Sequence, residues 1–130
     1  MIYTSCFSNN KALKAAGIQG ISIARWAPRW WGKGNRLFQL APSIPMVKDK
    51  SMTEAEYIRL YEIILAGQDP QEIAKDLDGC ALLCWEKPGE FCHRRLVAEW
   101  LEKNLGIEVP EFTAPPKQKK VMPQTTMFFV

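Results

Sequence analysis

The 130-residue sequence contains no apolar run near the roughly 18 residues a membrane-crossing helix needs. It has no paired Cys-x-x-Cys spacing, the usual signature of a small zinc fold, and no internal repeat. Its first residues, MIYTSCFSNNKALK, lack the charged-then-apolar order of a signal peptide. The expectation is therefore a cytoplasmic protein with no membrane partner, whose four cysteines are reduced. Charge of one sign is also scarce: 17 Lys and Arg against 14 Asp and Glu leave +3. That balance permits a phosphate or nucleic-acid partner without arguing for one, because electrostatic binders concentrate their basic residues on one face.

What is present is 47% hydrophobic and 24% charged residues, enough for a real core in one domain. Ile2 to Ser5 reads as a short strand. Asn9 to Ala16 reads as a helix stopped by Gly17, which accepts a left-handed cap. Gly20 to Ala24 is a second strand. Arg25 to Pro45 holds neither period and carries Pro28, Gly32, Gly34, Pro42 and Pro45, so it reads as a long irregular excursion of the kind that often serves function. Thr53-x-x-Glu56 is a capping box ahead of Tyr57, Leu60, Tyr61 and Ile64 at helical spacing, and Gly67 ends that helix. Asp69 caps a shorter one with Pro70 at its first position. Cys80 to Trp85 is a buried central strand. Leu96, Val97, Trp100, Leu101 and Leu105 define the apolar face of a helix that stops at Gly106, and Ile107 to Phe112 is a final short strand or extended segment.

Alternating strands and helices imply right-handed crossovers and a mostly parallel sheet covered on both faces: a small three-layer, Rossmann-like α/β domain over residues 1–112. Residues 113–130, TAPPKQKKVMPQTTMFFV, hold three prolines and three lysines without periodicity and read as a flexible tail. In such folds ligands bind at the carboxyl ends of the strands. That rule gathers three loops on one rim, Ser5 to Asn10, Arg25 to Arg36 and Glu86 to Cys92, where the thiols, arginines and tryptophans are concentrated.

Each group on that rim has two readings. Cys80 and Cys84 share one face of a strand but lie roughly 13 Å apart at about 3.3 Å per residue, too far for a metal with ligands at about 2.3 Å. No metal and no other cofactor is expected. Cys80 packs in the core. Cys84 either packs or lines a site, where it could face Cys92 across the loop. Cys92, at a helix start beside His93 and two arginines, is either an activated thiolate or a residue packed under the loop. Glu86, directly after the strand, is placed to act as acid or base. His93 and Arg94 suit an anion such as phosphate, with pairing of Arg94 to Glu86 or Glu90 as the alternative. Glu90, Arg95 and Glu99 are expected to be solvated or paired at the surface.

The segment Arg25 to Arg36 mixes three tryptophans with four cations, a composition that stacks bases and holds phosphates. Arg25, at the strand end, is the preferred site residue, with Arg29, Thr4 and Ser5 as further ligand contacts. Two of the three tryptophans are expected to bury the loop instead.

Three motifs together, Ile2-Tyr3-Thr4 with Ser8-Asn9, Ala24-Arg25-x-x-Pro28, and Leu82-Leu83-Cys84-x-Glu86-Lys87-Pro88-x-x-x-Cys92-His93-Arg94, resemble the domain-of-unknown-function family numbered 488 over about residues 1–112. The resemblance implies a compact α/β fold with a pocket near Thr4, Arg25, Cys84, Glu86, Cys92, His93 and Arg94. The chain departs from that pattern at Cys6-Phe7, where members often carry Gly-His, and at Ile23, where they carry an acid. The loss of a histidine and a carboxylate favours binding over turnover. In the tail, Gln124-Thr125-Thr126-Met127-Phe128 resembles the bacterial peptide that docks on the DNA polymerase sliding clamp, with Gln124 in a polar pocket and Met127 and Phe128 in an apolar groove. An edge strand closing the sheet is the alternative for that stretch.

The functional expectation is a nucleotide- or nucleic-acid-associated protein that binds a phosphate-bearing ligand at a Cys-His-Arg pocket and is tethered to the clamp by its tail. Two alternatives stand beside it. One is a thiol enzyme with Cys92 as nucleophile, assisted by His93 or Glu86. The other is a non-catalytic partner-binding module of phage or mobile-element origin.

Overall fold

The computed structural model describes residues 1–115. Three parallel strands form the sheet: β1 (Tyr3–Cys6), β2 (Gln19–Ser22) and β3 (Cys80–Cys84), in the order β1-β3-β2. Tyr3 pairs with Ala81 and Cys6 with Cys84 on one side of β3, and Gln19 pairs with Cys80 and Ser22 with Leu83 on the other. All three carboxyl ends therefore reach the same rim. β3 is buried along its whole length, as a central strand of a parallel sheet must be.

Five helices accompany it among the described residues: α1 (Asn10–Ala15), α2 (Ile44–Lys48), α3 (Glu54–Ala66), α4 (Pro70–Lys75) and α5 (His93–Leu105). The expected start and stop signals operate. Thr53 and Glu56 close the capping box on α3, and Asp69 accepts from the Gln71 amide at the start of α4. Gly106 takes the left-handed conformation, φ 66°, that ends α5. The result is a mixed α/β domain, and no described helix is long and apolar enough to cross a membrane.

The alternation of β3 divides the core. Leu82 joins Ile23, Leu40, Tyr61, Val97 and Leu101 on the face covered by α3 and α5, whereas Ala81 and Leu83 join Phe7, Leu13, Ile18 and Ala24 under α1. Burying these side chains supplies most of the fold's stabilisation, about 1.5–3 kcal/mol for each large aliphatic one.

One expectation changes here and one alternative is decided. Arg25 to Pro45 is not wholly irregular: it contains 3-10 turns at Arg29–Trp31 and Phe38–Leu40 and runs into α2, all too short for a period to register. Ile107 to Phe112 forms no full strand. It runs beside β1 with one bridge, Thr4 to Glu111, held by the Thr4 amide on the Pro110 carbonyl at 3.0 Å and the Phe112 amide on the Thr4 carbonyl at 2.7 Å.

Candidate functional site

The rim carries a pocket of about 350 Å³ lined by residues that follow β2 (Ala24, Arg25, Trp26), end and follow β3 (Cys84, Trp85, Glu86), and begin α5 (His93). Its remaining wall comes from the excursion and α2 (Pro42, Met46, Val47) and from Tyr57 of α3. Arg25 and His93 thus face one cavity although 68 residues separate them. A second pocket of about 200 Å³ adjoins it, with Tyr57, Glu86 and His93 common to both and Cys92 in its lining.

Arg25 is positioned at the strand end by two contacts. Its Nε donates to the Pro42 carbonyl at 3.0 Å, and its guanidinium carbon lies 4.8 Å from the centre of the Phe38 ring. Glu86 is exposed at the mouth. Burial, with the Glu86 charge second, pushes the Tyr57 hydroxyl well above its ordinary range, so it stays a neutral hydrogen-bond donor.

The floor is a sulfur and imidazole cluster. Cys84 and Cys92 are both buried, and their sulfurs are in covalent contact while their Cα atoms stay 7.4 Å apart. This corrects the expectation of four reduced cysteines: Cys6 and Cys80 are free and buried, whereas the end of β3 and the start of α5 hold Cys84 against Cys92. His93 Nδ1 lies 3.8 Å from Cys92 Sγ, and its Nε2 is 2.8 Å from the Ile23 carbonyl. The ring packs edge-on to Tyr61 with centroids 5.3 Å apart. A carbonyl accepts only, so Nε2 carries the proton and Nδ1 keeps its lone pair. Burial pulls the His93 pKa down to about 4, against the Ile23 hydrogen bond, which raises it, and with the Arg94 charge, which lowers it. The imidazole is therefore neutral near pH 7 and holds no anion by charge. The first turn of α5, expected to be an open anion seat, is buried at His93 and Arg94.

Arg94 is the largest departure. It is fully buried and pairs with Glu111, Nη2 to Oε2 at 2.7 Å with both carboxylate oxygens near Nε, while Nη1 donates to Cys84 Sγ at 3.1 Å. It binds neither Glu86 nor Glu90, and it is in the lining of neither pocket. Glu90 instead accepts from the Lys87 amide at 3.3 Å. Thr4 and Ser5 are also fully buried, Thr4 Oγ1 donating to Glu111 at 2.6 Å and Ser5 Oγ to the Phe112 carbonyl at 2.8 Å, and neither lines the pocket. Arg95 is half-buried and takes the paired option, donating from Nη1 to Thr4 Oγ1 and to the Val109 carbonyl, each at 2.8 Å. These corrections share a cause: the segment through Pro110 to Phe112 covers the edge of β1 and takes up its polar groups.

Arg29 stands exposed on a 3-10 turn away from the pocket lining. Of the three tryptophans in that stretch only Trp31 packs against the core, and Trp26 and Trp30 remain 46% and 61% exposed. Fewer tryptophans are buried than expected because Phe7, from the first loop, already fills the site beneath them, with ring centroids 6.3 Å from Trp30 and 5.4 Å from Trp31. Gln124, Met127 and Phe128 lie outside the described residues.

No protein-family profile, curated protein or solved structure matches the chain.

Linear spacing missed one grouping. Cys84, Cys92 and His93 place one donor atom each within 4.8 Å of one another. Cys80 and Cys84 share one strand, whereas the grouping is made between a strand end and a helix start.

Proposed function

We propose that the protein binds a small anionic ligand, a phosphate or the phosphate of a nucleotide, beside Arg25 and presents it to the sulfur centre of Cys84 and Cys92. The observation that carries this reading is the convergence of Arg25, Glu86, Cys84 and His93 on one cavity at the carboxyl ends of parallel strands. In this reading the cation is Arg25 rather than Arg94, and the tryptophan and tyrosine walls supply apolar contact. Layers on both sheet faces support viewing the fold as a reduced Rossmann-like domain. Titration with inorganic phosphate and with adenosine monophosphate, followed by NMR, tests it. Arg25→Gln should weaken binding at least about tenfold, near 1.4 kcal/mol. Equal binding by the variant, or none by the intact protein, overturns it.

Thiol chemistry is a second reading, favoured by one contact. The Arg94 N–H aimed at Cys84 Sγ stabilises an anionic sulfur there, so the nucleophile would be Cys84 and not Cys92. Reduced, EDTA-treated protein exposed briefly to iodoacetamide should be labelled first at Cys84. Prior labelling of Cys92 removes the reading. The replication clamp is the proposed partner of Gln124, Met127 and Phe128, and equal clamp recovery by the intact chain and by one ending at Pro123 removes that partner.

A further inference from the structure

We propose that, when their two sulfurs are thiols, Cys84 and Cys92 together with His93 bind one zinc ion through two thiolates and Nδ1, leaving the fourth coordination position to the pocket. This goes beyond the anion-binding reading and does not require it.

Four observations converge. The three donors are buried together within 4.8 Å of one another. The sulfur-to-Nδ1 separation of 3.8 Å is close to the roughly 3.6 Å expected between a thiolate and an imidazole nitrogen on a tetrahedral zinc. The Cα separation of 7.4 Å is wide for directly bridged cysteines, which keep about 4.4–6.8 Å, and suits two sulfurs held roughly 3.8 Å apart by an ion between them. The outer partners are those a metal site needs. The Ile23 carbonyl fixes the tautomer that leaves Nδ1 free to coordinate, and Arg94 donates to Cys84 Sγ, offsetting the negative charge that two thiolates bring.

The donor set selects the ion. Two thiolates and one imidazole favour zinc over magnesium or calcium, which take oxygen ligands. Binding forms two Zn–S bonds and one Zn–N bond, and the two thiols release their protons to solvent, so no oxidant or reductant is consumed in that step. Three protein ligands with an open fourth position is the arrangement of a zinc that acts on a bound water or ligand. All three donors line the two adjoining pockets, with Glu86 beside them.

The test is metal content. The full chain, reduced with a phosphine and stripped with EDTA, is loaded with zinc, passed through a desalting column and assayed by elemental analysis. About one zinc per chain is expected. Cys84→Ser and Cys92→Ser should each retain under a tenth of that, whereas Cys6→Ser and Cys80→Ser should retain all of it. Less than about a tenth of an equivalent on the intact chain overturns the proposal, as does full zinc retention by either site variant. Because a site variant could misfold, cobalt loading of the unmutated chain gives an independent reading. A thiolate-to-cobalt charge-transfer band with tetrahedral visible bands supports the site, and their absence overturns it. Arg25→Gln should bind zinc normally while losing phosphate, so the two proposals fail separately.

Discussion

The two sides of β3 hold similar residue types to opposite ends. On the β1 side, Thr4, Arg94, Arg95 and Glu111 satisfy one another, and Ser5 donates to the Phe112 carbonyl. On the β2 side, Arg25, Glu86 and His93 surround open space. Residue type alone does not separate structural from chemical polarity. A second segment bridges each edge strand, at Glu111 on Thr4 and at Arg36 on Ser22; what differs is that the first brings a carboxylate to Arg94, whereas Arg25 has no carboxylate within ion-pair distance among the described residues.

The comparison breaks most easily at Glu111. Glu111→Ala leaves the Arg94 guanidinium buried without its carboxylate, and a loss of about 3–5 kcal/mol is expected in denaturant unfolding. Replacing both, Arg94→Met with Glu111→Leu, should restore much of that loss, since an apolar pair of similar volume is often neutral or better. No such recovery would mean that the Arg94 bond to Cys84 carries the cost. On the opposite side, Gly20 of β2 is tightly packed: a Cβ there would meet Leu83 Cδ1 at 2.6 Å and Asn10 Oδ1 at 2.9 Å, so those side chains would have to shift. Gly20→Ala is expected to cost about 1–3 kcal/mol by overpacking, read as a lower urea midpoint. Away from both edges, Thr53→Ala removes the cap on α3 and should cost about 1 kcal/mol in the same assay. The smallest stability effect belongs to the open side. Arg25→Gln should shift unfolding by less than about 0.5 kcal/mol while weakening phosphate binding, which separates a site residue from a structural one.

Local signals were legible in the sequence. The capping box at Thr53, the Asp69-Pro70 start, the stop at Gly106 and the buried run Cys80 to Cys84 all act within a few residues, where spacing carries the information. Arg25 at a strand end and Cys84 opposite Cys92 followed from parallel-sheet geometry. What could not be read was the partner of Arg94. Glu86 and Glu90 are near in sequence, yet Glu111, 17 positions on, reaches the guanidinium because Gly106 turns the chain back along β1. The same segment takes up the Thr4 and Ser5 hydroxyls. The helix start was expected to be open because its own sequence says nothing of what covers it.

The strap along β1 also bears on how the chain acquires its shape. Thr4 and Glu111 are 107 residues apart, and Tyr3 pairs with Ala81, also distant in sequence. Closing loops of this size before their contacts reward it slows assembly relative to helical proteins of equal length. A nascent chain on the ribosome would hold the first strand without its final neighbour until nearly the whole domain had been synthesised.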